Sequence, residues 1–307
     1  MTSTAVTATG PPCAQWTREH QVDPVGTIGS YRAFLLVEWP LPWPKDLGQI
    51  PELQTVTRKL SQAEGRLQGL VPDERAEGGR RAVLYRADPG PFIGYRRTEV
   101  VGPAHEMVSL ASRLLDATTP ADSADVPGRE LLICTHGVRD RCCGSLGTRL
   151  ARSMEDEVGP EGTTRARRTS HTGGHRFAPT AVLLPEGTGW GYLDEGILRS
   201  IVHRSGAVGD VLPHYRGCAG LGSPRIQALE RAVLAEVGWG LFDCARHGSE
   251  EDDGSVRLSV ARADGEQVWA ARVRTSRILP VPGCGTPIQP DVKTAEEFVV
   301  EDLRRLR

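Results

Sequence analysis

The chain has 307 residues, 39% hydrophobic and 25% charged, with a formal net charge of -2. That is enough for one large or two ordinary cores, and it offers no electrostatic footprint for nucleic acid or an anionic membrane. No apolar run approaches the ~18 residues of a spanning helix, and the opening MTSTAVTATGPP lacks the basic and apolar regions of an export signal, so the expected location is the cytoplasm.

Residues 1–12 read as a disordered leader. Tyr31-Arg-Ala-Phe-Leu-Leu-Val-Glu38 is a compact apolar run stopped by Trp39-Pro40 and Trp43-Pro44, which predicts a buried strand ending in a rigid loop. A helix is expected over 51–67 and a charged, glycine-containing surface loop over 71–80. A hairpin is expected from 82–85 and 92–95 across Asp88-Pro-Gly-Pro, then a helix over 105–116. Residues 117–128, rich in Thr, Pro, Ala, Asp and Ser, read as a linker. The order then repeats: a strand over 131–134, a helix over 145–157, a hairpin from 181–184 and 190–192, and a helix over 196–203. Leu36 to Val83 and Ile133 to Val182 are 47 and 49 residues apart, so element order and interval both recur, as expected of two related α/β units. Beyond them come an amphipathic helix over 224–237, a hairpin from 256–260 and 267–273, and an expected helix over 295–306. The predicted organisation is thus a leader, an α/β unit over 13–124, a second over 125–240, and a hairpin-and-helix extension over 241–307.

Seven cysteines, an odd number with no export signal, are expected to be reduced thiols or metal ligands rather than a disulfide framework. Cys13, Cys218, Cys244 and Cys284 stand singly and read as packed or idle thiols. The chemistry concentrates in Cys134-Thr-His-Gly-Val-Arg-Asp-Arg-Cys142-Cys143-Gly144 and Ser170-His171-Thr-Gly-Gly-His175. Cys134 stands where a strand enters a loop. Cys143 precedes Gly144 at an expected helix start, where backbone amides and the helix dipole favour the thiolate. Cys142 and Cys143 are adjacent, so only one is expected to face the centre, and Cys143 is the choice. His171 and His175 flank Thr-Gly-Gly, which lets the chain fold until both rings converge. Two thiols and two imidazoles make a four-ligand set for zinc or for an iron-sulfur cluster, and the spacing leaves both open.

The strings CTHGVRDRCCG and SHTGGHRFAPTAVLLPEGTGWGY, the later Tyr215-Arg216-Gly217 and the early PVGTIGSYRAFLLVEWPLPW resemble the sucrase/ferredoxin-like family over most of residues 13–220. The resemblance implies an α/β thioredoxin-like ferredoxin domain, preceded here by a candidate related α/β unit lacking ligands. It also implies one [2Fe-2S] cluster, whose two Cys and two His fall on Cys134, Cys143, His171 and His175. Cys142, where many relatives have another residue, leaves the choice between it and Cys143 open. His136, Arg139, Asp140, Cys142, Arg176 and Arg216 are candidates to surround and tune the ligands. For the first ligand loop the plainer reading is an Arg139–Asp140 pair that simply fixes it, and for Arg176 it is a brace. Arg216 enters on resemblance alone.

The expected function is one-electron transfer with proton-coupled reduction, to and from an unidentified redox partner protein, with no nucleic acid or membrane partner. The alternatives are a structural Zn2+ module on the same two Cys and two His, or a thiol-based redox enzyme. Enzyme activity is left open, an electron carrier being favoured. A glycosidase needs two carboxylates across a sugar cleft, and no such pair stands out. Gly217-Cys-Ala-Gly-Leu-Gly222 lacks the preceding strand of a nucleotide-binding loop.

Overall fold

The computed structural model describes residues 10–73, 79–116, 128–154 and 164–307. Most of the expected leader, the centre of the 71–80 loop, nearly all of the 117–128 linker and the end of the 145–157 helix lie outside them. No described helix is long and apolar enough to cross a membrane.

The first described helix, α1 (Cys13–Glu19), precedes the central strand β1 (Ala33–Glu38), whose AFLLVE run is buried throughout. Such a continuous apolar strand suits the middle of a sheet covered on both faces. The chain then makes two short 3-10 turns, α2 (Gln54–Gln62) and β2 (Gly65–Leu70), the last parallel to β1. Next come β3 (Arg80–Ala87), antiparallel to β1, then β4 (Tyr95–Gly102) and α3 (Met107–Asp116). The second unit repeats this in order. It contains β5 (Arg129–Cys134), α4 (Thr148–Ser153), β6 (Thr164–Thr169) parallel to β5, β7 (Ala181–Leu184) antiparallel to β5, β8 (Thr188–Trp190) and α5 (Glu195–His203). After α6 (Val208–Val211), β9 (Tyr215–Cys218) adds to the edge.

The full order is β4-β3-β1-β2-β6-β5-β7-β8-β9. Each unit therefore has the thioredoxin-like arrangement of a parallel pair with an antiparallel hairpin beside its first strand. The two units meet edge to edge, β2 running antiparallel to β6. Leu36 pairs with Val83 and Leu132 with Val182, so the two recurring intervals of the sequence mark near-equivalent pairings.

The helix α7 (Pro224–Val237) starts at Ser223, whose side chain accepts from the Ile226 N–H, with proline at its first position. It packs on β9 and on a second sheet of β10 (Ala245–Glu250), β11 (Ser255–Arg262), β12 (Gly265–Pro280) and β13 (Thr294–Arg305), all antiparallel neighbours.

Four expectations are corrected. The helix over 51–67 ends at Gln62, and Gly65–Leu70 is a strand. The first hairpin's second strand starts at Tyr95, while Phe92 bridges to Arg246 instead. The first ligand loop leads through a π-helical turn, Cys143–Gly147, so the helix expected over 145–157 begins only at Thr148. The last segment is strand β13, not a helix, because the long partner β12 offers it a ladder to complete.

Candidate metal centre

β5 and β6 pair in register, Arg129 with Thr164 through Cys134 with Thr169. The two ligand-bearing loops therefore leave the same edge of the sheet side by side, at the carboxyl ends of parallel strands, where open α/β sheets hold their ligands. Cys134 is the last residue of β5, and His171 follows β6 by two residues.

Between them the first loop closes through Asp140, whose Oδ1 accepts from the backbone N–H groups of Cys142 (2.9 Å) and Cys143 (3.3 Å). This cap aims the next turn back at β5. A Cβ at Gly147 would run into the Cys134 carbonyl oxygen, so the π-helical turn reaches its position only because that residue is glycine. π-Helical turns concentrate at functional sites.

The second loop turns at Gly173 and Gly174, with φ of 84° and 66°. Arg216, fully buried, lies beneath it, donating to the Gly173 carbonyl (3.2 Å) and to Thr27, and its guanidinium occupies the space a Gly174 side chain would need. From the other unit, Arg66 and Gln68 donate to the His171 carbonyl, and Gly69 exchanges hydrogen bonds with Ser170. The amino-terminal unit thus holds the ligand loop.

Sγ of Cys134 and of Cys143 and a ring nitrogen of His171 all lie within 4.8 Å of one another. Cys143 stands in this group and Cys142 does not. Both thiols are buried, and all seven cysteines are free. The Cys143 thiol donates to Cys134 and holds it well below the ordinary thiol range against the opposing effect of burial, while Cys143 itself is pushed up. Burial pushes His171 down, favouring the neutral imidazole a metal requires. Its Nδ1 is buried with no hydrogen-bond partner, so a ring nitrogen is left unsatisfied by the protein. The residues present therefore fit a metal group.

His175 stands beside this group, its ring centroid 6.1 Å from that of His171. Its Nδ1 is 2.8 Å from Asp140 Oδ2, which leaves Nε2 as the ring's other donor atom. Burial works against charge on Asp140, but hydrogen bonds from His175 and Cys13 hold its carboxyl below the usual range.

The remaining candidates divide. Nδ1 of His136 accepts from the His171 N–H (3.3 Å), and its ring meets Trp43 edge-on, so it fixes the loop. Arg139 reaches the Lys45 carbonyl (3.1 Å) and lines an open cleft of ≈ 380 Å³ beside His171. The Arg176 guanidinium stacks on Phe177, and its carbonyl accepts from Thr17, so it braces α1. Cys142 joins a different set. With Cys13, Cys284 and Asp140 it places four donor atoms within 4.8 Å of one another. Cys13 and Cys284, expected from the sequence to be packed or idle thiols, thus belong to a cluster that no local spacing joins. Cys218 and Cys244 do behave as packed thiols, each donating to a nearby carbonyl.

The sequence model of the sucrase/ferredoxin-like family matches residues 24–217, which include Cys134, Cys143, His171 and His175 but neither Cys13 nor Cys284. Among curated proteins, "Altered inheritance of mitochondria protein 32" of Meyerozyma guilliermondii is 28% identical over 115 residues, covering 34% of this chain and 41% of that protein. The match thus spans about two fifths of that relative's length. No solved structure matches the chain significantly.

Proposed function

The chain belongs to the sucrase/ferredoxin-like family, and from that membership we propose that it binds one [2Fe-2S] cluster through Cys134, Cys143, His171 and His175 and carries single electrons. The observation that carries this reading is the convergence of two buried free thiols and a neutral imidazole with an unpartnered ring nitrogen. A cluster held there supplies one-electron oxidation and reduction. The residues set its character. Two thiolates and two neutral imidazoles carry two fewer negative charges than four thiolates, which favours the reduced state and raises the potential. Imidazole also has a second ring proton, so its gain or loss couples electron transfer to pH. Asp140 receives the Nδ1 side of His175 and fixes its orientation. His175 has 25% of its side chain exposed while both cysteines are buried, so a redox partner protein would approach from the imidazole side.

A closed zinc site on the same residues is the second reading, favoured by one feature: three donors within 4.8 Å also suit a single ion. A thiol nucleophile is poorly served, because Cys134 is fully buried. Iron, sulfide and zinc quantified on anaerobically purified protein, with its electron paramagnetic resonance spectrum, separate the readings. About two irons and two sulfides per chain with a rhombic reduced signal are expected. Colourless protein that takes up no iron or sulfide on reconstitution would overturn the cluster.

A further inference from the structure

We propose that Cys13, Cys142, Cys284 and Asp140 form a second metal site, a structural zinc clip, next to the first. The Sγ atoms of Cys13 and Cys142 are 3.8 Å apart, those of Cys142 and Cys284 are 3.3 Å apart, and Cys13 Sγ is 3.4 Å from Asp140 Oδ2. A tetrahedral zinc with Zn–S bonds of about 2.3 Å sets its sulfurs about 3.8 Å apart and its sulfur–oxygen edges slightly shorter. The four donors thus already stand near the edges of such a tetrahedron. The sulfur distances are far beyond a disulfide bond, and each of the three thiols is free. Three sulfurs and a carboxylate oxygen suit zinc, a borderline-soft ion content with tetrahedral geometry.

The site is assembled from three segments rather than one loop. Cys13 opens α1, Asp140 and Cys142 belong to the first ligand loop, and Cys284 lies between β12 and β13. Backbone bonds lock the outer two together, Gly10 N–H to the Gly285 carbonyl (3.2 Å) and Gly285 N–H to the Pro11 carbonyl (3.3 Å). Cys13, Cys142 and Asp140 are buried, and Cys284 closes the open side. Binding displaces three thiol protons to solvent and moves no electrons. Its consequence is to pin α1 and the carboxy-terminal extension over the loop that holds His175, with Asp140 shared between the clip and that imidazole.

The clip does not rest on the [2Fe-2S] reading, and its test separates the two. In full-length protein purified anaerobically with zinc in the medium, about one zinc per chain is expected besides any iron. Cys13→Ser and Cys284→Ser should each lose that zinc while iron and sulfide stay. In the unmutated protein, zinc should protect Cys284 from alkylation, and a chelator should restore its labelling. Zinc unchanged in Cys284→Ser but lost in Cys134→Ser would place the ion in the other group and overturn the clip. So would a Cys142–Cys284 disulfide in the anaerobic protein, or labelling of Cys284 indifferent to zinc.

Discussion

Cys142 and Cys143 are neighbours in the chain that part in space, because Asp140 caps both their backbone amides and starts a turn that sends one thiol toward β5 and the other toward α1. The imidazoles govern the electron chemistry proposed for the first group. His171→Cys or His175→Cys should retain a cluster but lower its potential by on the order of 100 mV or more and flatten its pH dependence. Protein-film voltammetry across pH checks this, and an unchanged potential in both variants removes histidine from the ligand set. The metal-free protein should also be acid-sensitive at these residues. Burial holds His136 and His171 below the ordinary histidine value of 6.5. As pH falls through that value the unfolded chain gains protons that the folded one refuses. The stability they contribute is therefore present above about pH 6.5 and drains below it, by at most about 1.4 kcal/mol per pH unit for each histidine. Cys134, depressed in the fold, acts with the same sign. Urea unfolding of metal-free protein at several pH values between neutral and mildly acidic should show the midpoint falling, and a flat profile would contradict the burial argument.

At the level of elements, the two parallel pairs are equivalent residue for residue. Ala33 pairs with Gly65 as Arg129 pairs with Thr164, so Glu38 ends β1 where Cys134 ends β5. One unit carries the candidate ligand Cys134 at that position and the other a buried carboxylate. The contact between the π-helical turn and β5 is the tightest joint of the site. Gly147→Ala should cost about 1–3 kcal/mol by overpacking against a backbone carbonyl and should lower metal content. Gly209→Ala, in α6 with open space around it, should be neutral or slightly stabilising. Thermal melts of both, with metal analysis, decide the matter. Some elements were plain in the sequence and some were not. β1, β5 and β7 were legible because their apolar runs are continuous. The strands β2 (GRLQGL) and β6 (TRARRT) were not, because they meet at the seam between units, where Arg66 and Arg167 are paired by the opposite unit instead of being left to water. The sequence TAEEFVVEDLRR of β13 looks helical by composition, but its charges sit on an edge strand, where they discourage further pairing. Cys134, Cys143 and His171, which the fold gathers, were legible because each stands on one of two short loops, and His175, chosen by the same spacing, lies beside that group. Cys13 and Cys284 were not, since only the tertiary fold brings them to Cys142.

Across the whole molecule, the seam between the two units decides whether the ligand loop keeps its place. β2 and β6 touch through the single pairing Leu70 with Thr169, so side chains must do much of the joining. Glu38 of the first unit, 1% exposed, takes an ion pair from Arg167 of the second and accepts the Arg81 N–H (3.1 Å). A few residues along, Arg66 and Gln68 grip the His171 carbonyl. Removing one member of a buried ion pair strands the other charge, at a cost of about 3–5 kcal/mol, whereas replacing both with apolar groups is far milder. Glu38→Leu should therefore destabilise the chain by that amount and, by loosening the seam, release metal faster to a chelator. Glu38→Leu with Arg167→Met should recover part of the stability, since the pair is removed whole, the remainder being lost because Arg167 also offsets the charge of buried Glu130 and the Arg81 N–H loses its acceptor. Equal losses from the single and double variants would mean that Glu38 acts through Arg81 and the first unit alone. The double variant also tests the second unit's autonomy. If it is stable yet still loses metal quickly, the first unit's contribution to the site is this particular clamp on His171 rather than general support.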